Sequence, residues 1–106
     1  MDQTAIIIAD TAGVIRFWSP GAETAFGYAA ERAIGDTLDL IVPPEHRDAH
    51  WIGFRRAVES GAAAVEGQTA PFPVRRADGG VRETPGRLAL VRDPQGRVVG
   101  AMVVFE

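Results

Sequence analysis

Three turn signals, each flanked by β-branched or apolar runs, constrain this chain more than any other feature. They are Asp10-Thr11-Ala12-Gly13, Ala77-Asp78-Gly79-Gly80 and Asp93-Pro94-Gln95-Gly96. An aspartate can bond its own backbone two residues on, and glycine accepts positive φ at no steric cost, so such clusters reverse a strand. The first separates runs 5–9 and 14–18 at hairpin distance; the other two separate strand candidates at roughly 69–76, 81–91 and 97–105. Within the second of these candidates, Pro85-Gly86 predicts a bulge or an interruption, because proline donates no ladder hydrogen bond and glycine packs nothing.

The middle of the chain reads as helix. Ser19-Pro20 is an N-cap and first-turn pair leading to Phe26, with Gly27 past the end. Residues 29–33 predict another short helix, and Asp36 can cap a further turn through Leu38, Leu40 and Ile41 that Pro43-Pro44 stops. From residue 44 to 59 the pattern is helical, with Glu45 and Asp48 at the positive end and Gly61 beyond it. Two strands, short helices, one longer helix and three strands make an α+β plan, with an antiparallel sheet covered on one face by helices.

The 106 residues fit one domain, and 46% apolar with 24% charged residues is the composition of a globular chain. Eleven arginines and no lysine are spread along a chain of net charge −3, which argues against direct nucleic-acid binding. With no cysteine there is no disulfide, thiolate nucleophile or Cys-ligated metal. No apolar run reaches the roughly 18 residues that span a bilayer, so the expectation is a soluble, cytoplasmic domain with no membrane partner. No nucleophile–base constellation or phosphate-cradling loop points to an enzyme.

These words in this order resemble a PAS sensor domain. The matching phrases are Ile8-Ala9-Asp10-Thr11-Ala12-Gly13-Val14-Ile15, Phe17-Trp18-Ser19-Pro20-Gly21-Ala22-Glu23, Phe26-Gly27-Tyr28, Ile34-Gly35, Leu40-Ile41-Val42-Pro43, Arg76-Ala77-Asp78-Gly79 and Asp93-Pro94-Gln95-Gly96-Arg97. The resemblance implies a single PAS domain over residues 1–106, excised from a longer signalling protein. It implies a five-stranded antiparallel sheet in the order 2-1-5-4-3, with a pocket between the sheet and the long helix.

The stretch from Leu40 to Gly67 resembles the haem-binding PAS domains of bacterial oxygen-sensor kinases and of an oxygen-regulated phosphodiesterase. That likeness implies haem b as cofactor, with His50, seven residues after Pro43, as proximal iron ligand and Arg56, six further on, holding a propionate. Val65-Glu66-Gly67 matches the stretch ahead of the phosphodiesterase's methionine ligand, a position held here by Gln68, whose amide can donate to a diatomic ligand. The oxygen-binding arginine of those sensors corresponds to Ala70, and the apolar distal positions fall on Gly86 and Leu88, where Gly86 removes bulk. The implied function is sensing of oxygen, carbon monoxide, nitric oxide or redox state, passed to a kinase, cyclase or phosphodiesterase, or transcription-regulator effector, with a homodimer as the working form.

Other readings of the same residues stand beside this one. His50 can be a half-buried helix histidine packed by Phe54, Arg56 a solvated helix charge, and Gln68 a polar residue at a strand entrance. The domain is then a cofactor-free module for dimerisation or for binding a small metabolite. His46 and His50 stand four apart, a zinc-like spacing without an obvious third ligand. Met102 reads as core and Trp51 as packing or interface. Light sensing through flavin is disfavoured by the absence of cysteine and asparagine.

Overall fold

Along Ala5–Asp10 every second residue is buried, so one face of this strand, β1, carries Ala5, Ile7 and Ala9 into the interior. In the computed structural model, which describes residues 3–106, β1 lies between β2 (Ile15–Trp18) and β5 (Val98–Phe105). β4 (Val81–Arg92) pairs with the far side of β5, and β3 (Thr69–Arg75) with β4. The sheet is antiparallel and five-stranded in the order β2-β1-β5-β4-β3. All three turn signals lie between strands, as expected from the sequence.

The helices are α1 (Pro20–Phe26), α2 (Ala30–Ala33) and α3 (Arg47–Ser60), with 3-10 turns at Leu38–Leu40 and Pro44–His46. The α1 ends follow local chemistry. The Ser19 hydroxyl accepts the Ala22 N–H at 3.2 Å, and Gly27 closes the helix at φ 86°. Ser19 also accepts the Ile6 N–H at 2.8 Å and donates to the Thr4 carbonyl at 2.9 Å, tying helix start to first strand.

Three local expectations are corrected. Thr37, not Asp36, caps the Leu38 turn, its hydroxyl accepting the Asp39 N–H at 3.3 Å, while Asp36 pairs with Arg32 at 2.7 Å. The long helix begins as a 3-10 turn and becomes α-helical only at Arg47. Lastly, β4 runs unbroken through Pro85-Gly86, and the register shift falls at Val91/Arg92. The proline is tolerated because its missing donor faces the end of β5: Pro85 accepts the Glu106 N–H at 2.8 Å just past Phe105. N–H and C=O of one strand residue point to the same side, so the directly opposed Pro71↔Pro85 pair lacks ladder bonds and costs none.

The helix-covered face of the sheet holds two apolar clusters. The larger contains Ile7, Ile15, Trp18, Phe26, Val74 and Phe105, with edge-to-face ring pairs Trp18–Phe26 at 6.0 Å and Phe26–Phe105 at 5.1 Å. The smaller lies under α3 and consists of Ala57, Leu90 and Ala101, with Phe54, Ala63, Leu88 and Val98 against it. No helix among the described residues is long and apolar enough to cross a membrane.

Candidate functional site

Arg47–Ser60 forms a helix whose buried face is narrow: Ala57 is its one fully buried residue, with His50, Phe54 and Val58 half-buried along the same side. The spacing of four from His50 to Phe54 and three from Phe54 to Ala57 produces that stripe. His50 packs its ring against Phe54 at 5.9 Å and edge-on to Trp51 at 4.9 Å. Its Nδ1 is buried and has no hydrogen-bond partner among the described residues. Burial pushes the imidazole pKa below its ordinary 6.5, and the Asp39 carboxylate offsets this only in part. Burial therefore favours the neutral form of His50, the protonation state that ligates a metal.

The other expected site residues divide into two groups. Ala70, Gly86 and Leu88 share the helix-covered face of the sheet: Ala70 pairs with Gly86, Gly86 with Phe105, and Leu88 with Val103. Leu88 lies against the α3 cluster. Gly86, by contrast, is hemmed in by the larger core. A Cβ there would stand 3.1 Å from Phe105, 3.2 Å from Phe72 and 3.2 Å from Val103. The bulk expected to be missing at Gly86 is thus supplied by its neighbours' rings.

Gln68 and Arg56 are exposed. Gln68 sits in the turn before β3, its backbone N–H bonded to the Val65 carbonyl at 3.0 Å. Arg56, on the solvent side of α3, has no ion-pair partner among the described residues. His46 is exposed at the start of α3 and makes no capping bond. Among the described residues no three His, Cys, Asp or Glu side chains gather to hold a metal ion, so the His46–His50 spacing gains no further ligand.

Two constellations escaped the sequence reading. Trp51 donates its indole N–H to Asp39 at 2.7 Å and lays its ring over Gly13, at φ 79°, where any Cβ would overlap the indole. Arg47 donates to the carbonyls of Asp39 (3.1 Å) and Val42 (3.2 Å). The start of α3 is thereby clamped to the β1–β2 turn and the Leu38 turn. At the other end of the helix, Glu66 accepts the Leu90 N–H at 2.9 Å and pairs with Arg92 at 3.1 Å, and Arg92 donates to the Gly61 carbonyl at 2.9 Å. The Arg92 guanidinium holds the Glu66 carboxyl below its ordinary range, with the Leu90 N–H adding to the effect. Glu66 so covers the stretch of β4 edge that β3 leaves unpaired.

The comparisons with known proteins agree with this geometry. The family model for the PAS fold matches residues 3–106. The oxygen sensor protein DosP of Escherichia coli strain K12 is 35% identical over 65 residues, 61% of this chain and 8% of DosP. An uncharacterized protein of Azorhizobium caulinodans is 35% identical over 78 residues, 73% of this chain and 11% of that protein. The chain thus spans about a tenth of the length of these relatives. The crystal structure of a PAS domain from Colwellia psychrerythraea superposes with a TM-score of 0.82 at 24% identity, covering 99% of this chain and 86% of that one. This chain belongs to the PAS family and is a PAS sensor domain related to an oxygen sensor.

Proposed function

We propose that this domain binds haem b between α3 and the sheet, with His50 as proximal ligand, and that it senses a diatomic gas or the redox state of the iron. The observation that carries the reading is the half-buried His50 imidazole, its neutral form favoured by burial, with a buried nitrogen that nothing in the described residues satisfies. Orphaned buried polar atoms are uncommon in native folds, and an absent partner is one explanation for them. The surroundings suit a porphyrin, being apolar and built from small side chains at Ala57, Ala63 and Ala101 beside Leu88 and Leu90. Relatedness to DosP, whose name states oxygen sensing, supports the same reading.

In this reading Arg56 holds a propionate, as a planar guanidinium does for carboxylates. Leu88 and Ala70 line the distal side, Gly86 brings the Phe72 and Phe105 rings close to it, and Gln68 reaches the bound gas from the turn before β3. Haem iron would supply reversible binding of the gas; the protein supplies the axial base, the dry seat and the anchor. The domain itself is not catalytic. Occupation of the site would act through α3 on the sheet, and an effector in a longer cytoplasmic protein, working as a homodimer, would read it out.

The test is a titration of the purified domain with hemin, followed by absorbance. Wild type gives a sharp Soret band and a one-to-one end point, and His50→Ala loses both. A broad spectrum identical in the two proteins contradicts the reading and leaves a cofactor-free dimerisation or metabolite-binding module. Arg56→Ala should keep the band position but release haem faster.

A further inference from the structure

A groove of about 450 Å³ opens where the β1–β2 turn meets α3, with Phe54 shared between it and the small apolar cluster. Its wall is lined by Thr11, Thr37, Asp39, Trp51, Phe54 and Arg55, and His50 is not among its lining residues. The volume lies within the roughly 300–1,000 Å³ of small-molecule sites. Its lining brings one acidic and one basic side chain together with two aromatic rings.

The platform is fixed in place. Trp51 and Phe54 meet edge to face at 5.5 Å, and the indole cannot swing because Gly13 receives its ring and Asp39 accepts its N–H. Asp39 uses Oδ1 for that bond and for its 3.8 Å approach to Arg47, leaving Oδ2 without a partner among the described residues. Arg55 is exposed and makes no ion pair or hydrogen bond among the described residues. The Thr37 hydroxyl accepts the Asp39 N–H and keeps its own hydrogen to donate. The groove therefore presents a guanidinium and a hydroxyl donor for a carboxylate, a carboxylate oxygen for an ammonium, and two rings for an apolar or planar body.

We infer that this groove is a second binding site, for a zwitterionic free amino acid with an aromatic or large apolar side chain. The α-carboxylate pairs with Arg55, the α-ammonium with Asp39 Oδ2, and the side chain lies on Trp51 and Phe54. A ligand with a single charge leaves either Asp39 or Arg55 without its partner, so the two charges select against simple amines and simple acids. The inference does not rest on haem: His50 is not among the groove's lining residues, although Trp51 and Phe54 touch its ring and the Asp39 carboxylate acts on it.

Isothermal titration of the haem-free domain with L-phenylalanine and L-tryptophan, alongside phenethylamine and N-acetyl-phenylalanine, tests it. The expected result is binding of the two amino acids, with each single-charge analogue weaker by about tenfold or more, the loss of one charge-assisted hydrogen bond. Arg55→Ala and Asp39→Asn should each weaken binding by a similar factor. Asparagine retains the oxygen that accepts the Trp51 N–H, so Asp39→Asn keeps the platform, which circular dichroism and an unchanged urea midpoint verify. No binding at ~10 mM amino acid, far weaker than a useful sensor affinity, overturns the inference. So does binding that both single-charge analogues match, or that neither variant alters. Failure here leaves the His50 Soret result untouched, and failure of the Soret test leaves this titration interpretable.

Discussion

The two apolar clusters on the helix-covered face of the sheet are built from different kinds of side chain. The larger one interlocks Trp18, Phe26, Phe105, Ile7 and Ile15 with almost nothing exposed; Ile15 is 0% accessible. The smaller one, under α3, has alanine at two of its three buried positions and one half-buried ring, Phe54, at its margin, against which His50 packs with an unpartnered nitrogen. Large rings fill the first region and small side chains the second. The difference teaches that α3 is held at its ends, by Trp51 on Gly13 and by Arg92 on Gly61, rather than by dense packing beneath its middle.

Truncation in the dense cluster breaks the comparison most violently. Phe26→Ala removes a ring packed on Trp18 and Phe105 and is expected to cost about 3–5 kcal/mol. Urea unfolding checks it; a loss under ~1 kcal/mol would mean that the dense cluster is not what holds the fold. Gly13→Ala comes next, at about 2–3 kcal/mol, because it combines the penalty of a side chain at φ 79° with displacement of the Trp51 indole. Its signature is a red-shifted Trp51 emission, read in a Trp18→Phe background so that one indole reports. Unshifted emission contradicts the clamp.

Filling the thin cluster has a smaller effect on stability. Ala57→Leu is expected to change it by about 1 kcal/mol or less, below the usual 1–3 kcal/mol of overpacking, while lowering hemin affinity at least about tenfold. A large destabilisation with unchanged hemin binding would show that the region is already full. The smallest effect is that of pH. His50 is lowered from 6.5 by burial, so the unfolded chain takes up a proton that the folded chain refuses. Stability is complete above pH 6.5 and falls as pH drops below it, towards the lower folded-state pKa. In His50→Ala this part of the slope disappears; an identical slope in both proteins would show that His50 does not titrate differently on folding.

How much of this was legible follows from how local each cause is. The hairpin turns, the Ser19 cap and the Gly27 stop depend on residues within four positions of one another, and the sequence places them correctly. The continuity of β4 through Pro85 depends on where β5 ends, a fact about another strand's register that no local pattern carries. Choosing Asp36 over Thr37 as cap failed because both side chains can accept a backbone N–H, and the Asp36 carboxylate is drawn to Arg32. The placement of His50 on the inner edge of α3 was readable from helical spacing, but the orphaned state of its nitrogen was not. Gln68 was readable as a polar residue at a strand entrance, and it lies exposed in the turn before β3, its N–H bonded to the Val65 carbonyl at 3.0 Å. The Trp51–Gly13 and Glu66–Leu90 contacts join residues 38 and 24 positions apart, and no spacing rule reaches that far.

The central claim is that the imidazole of His50, rather than the apolar seat alone, holds the cofactor. Chemical rescue tests it most directly. In His50→Gly the hemin spectrum should be broad and free of a sharp Soret band, and adding imidazole to the solution should restore the wild-type band, because the seat that held the side chain admits the free ring. A spectrum that imidazole leaves unchanged, or a His50→Gly protein that binds hemin as sharply as wild type, contradicts the account.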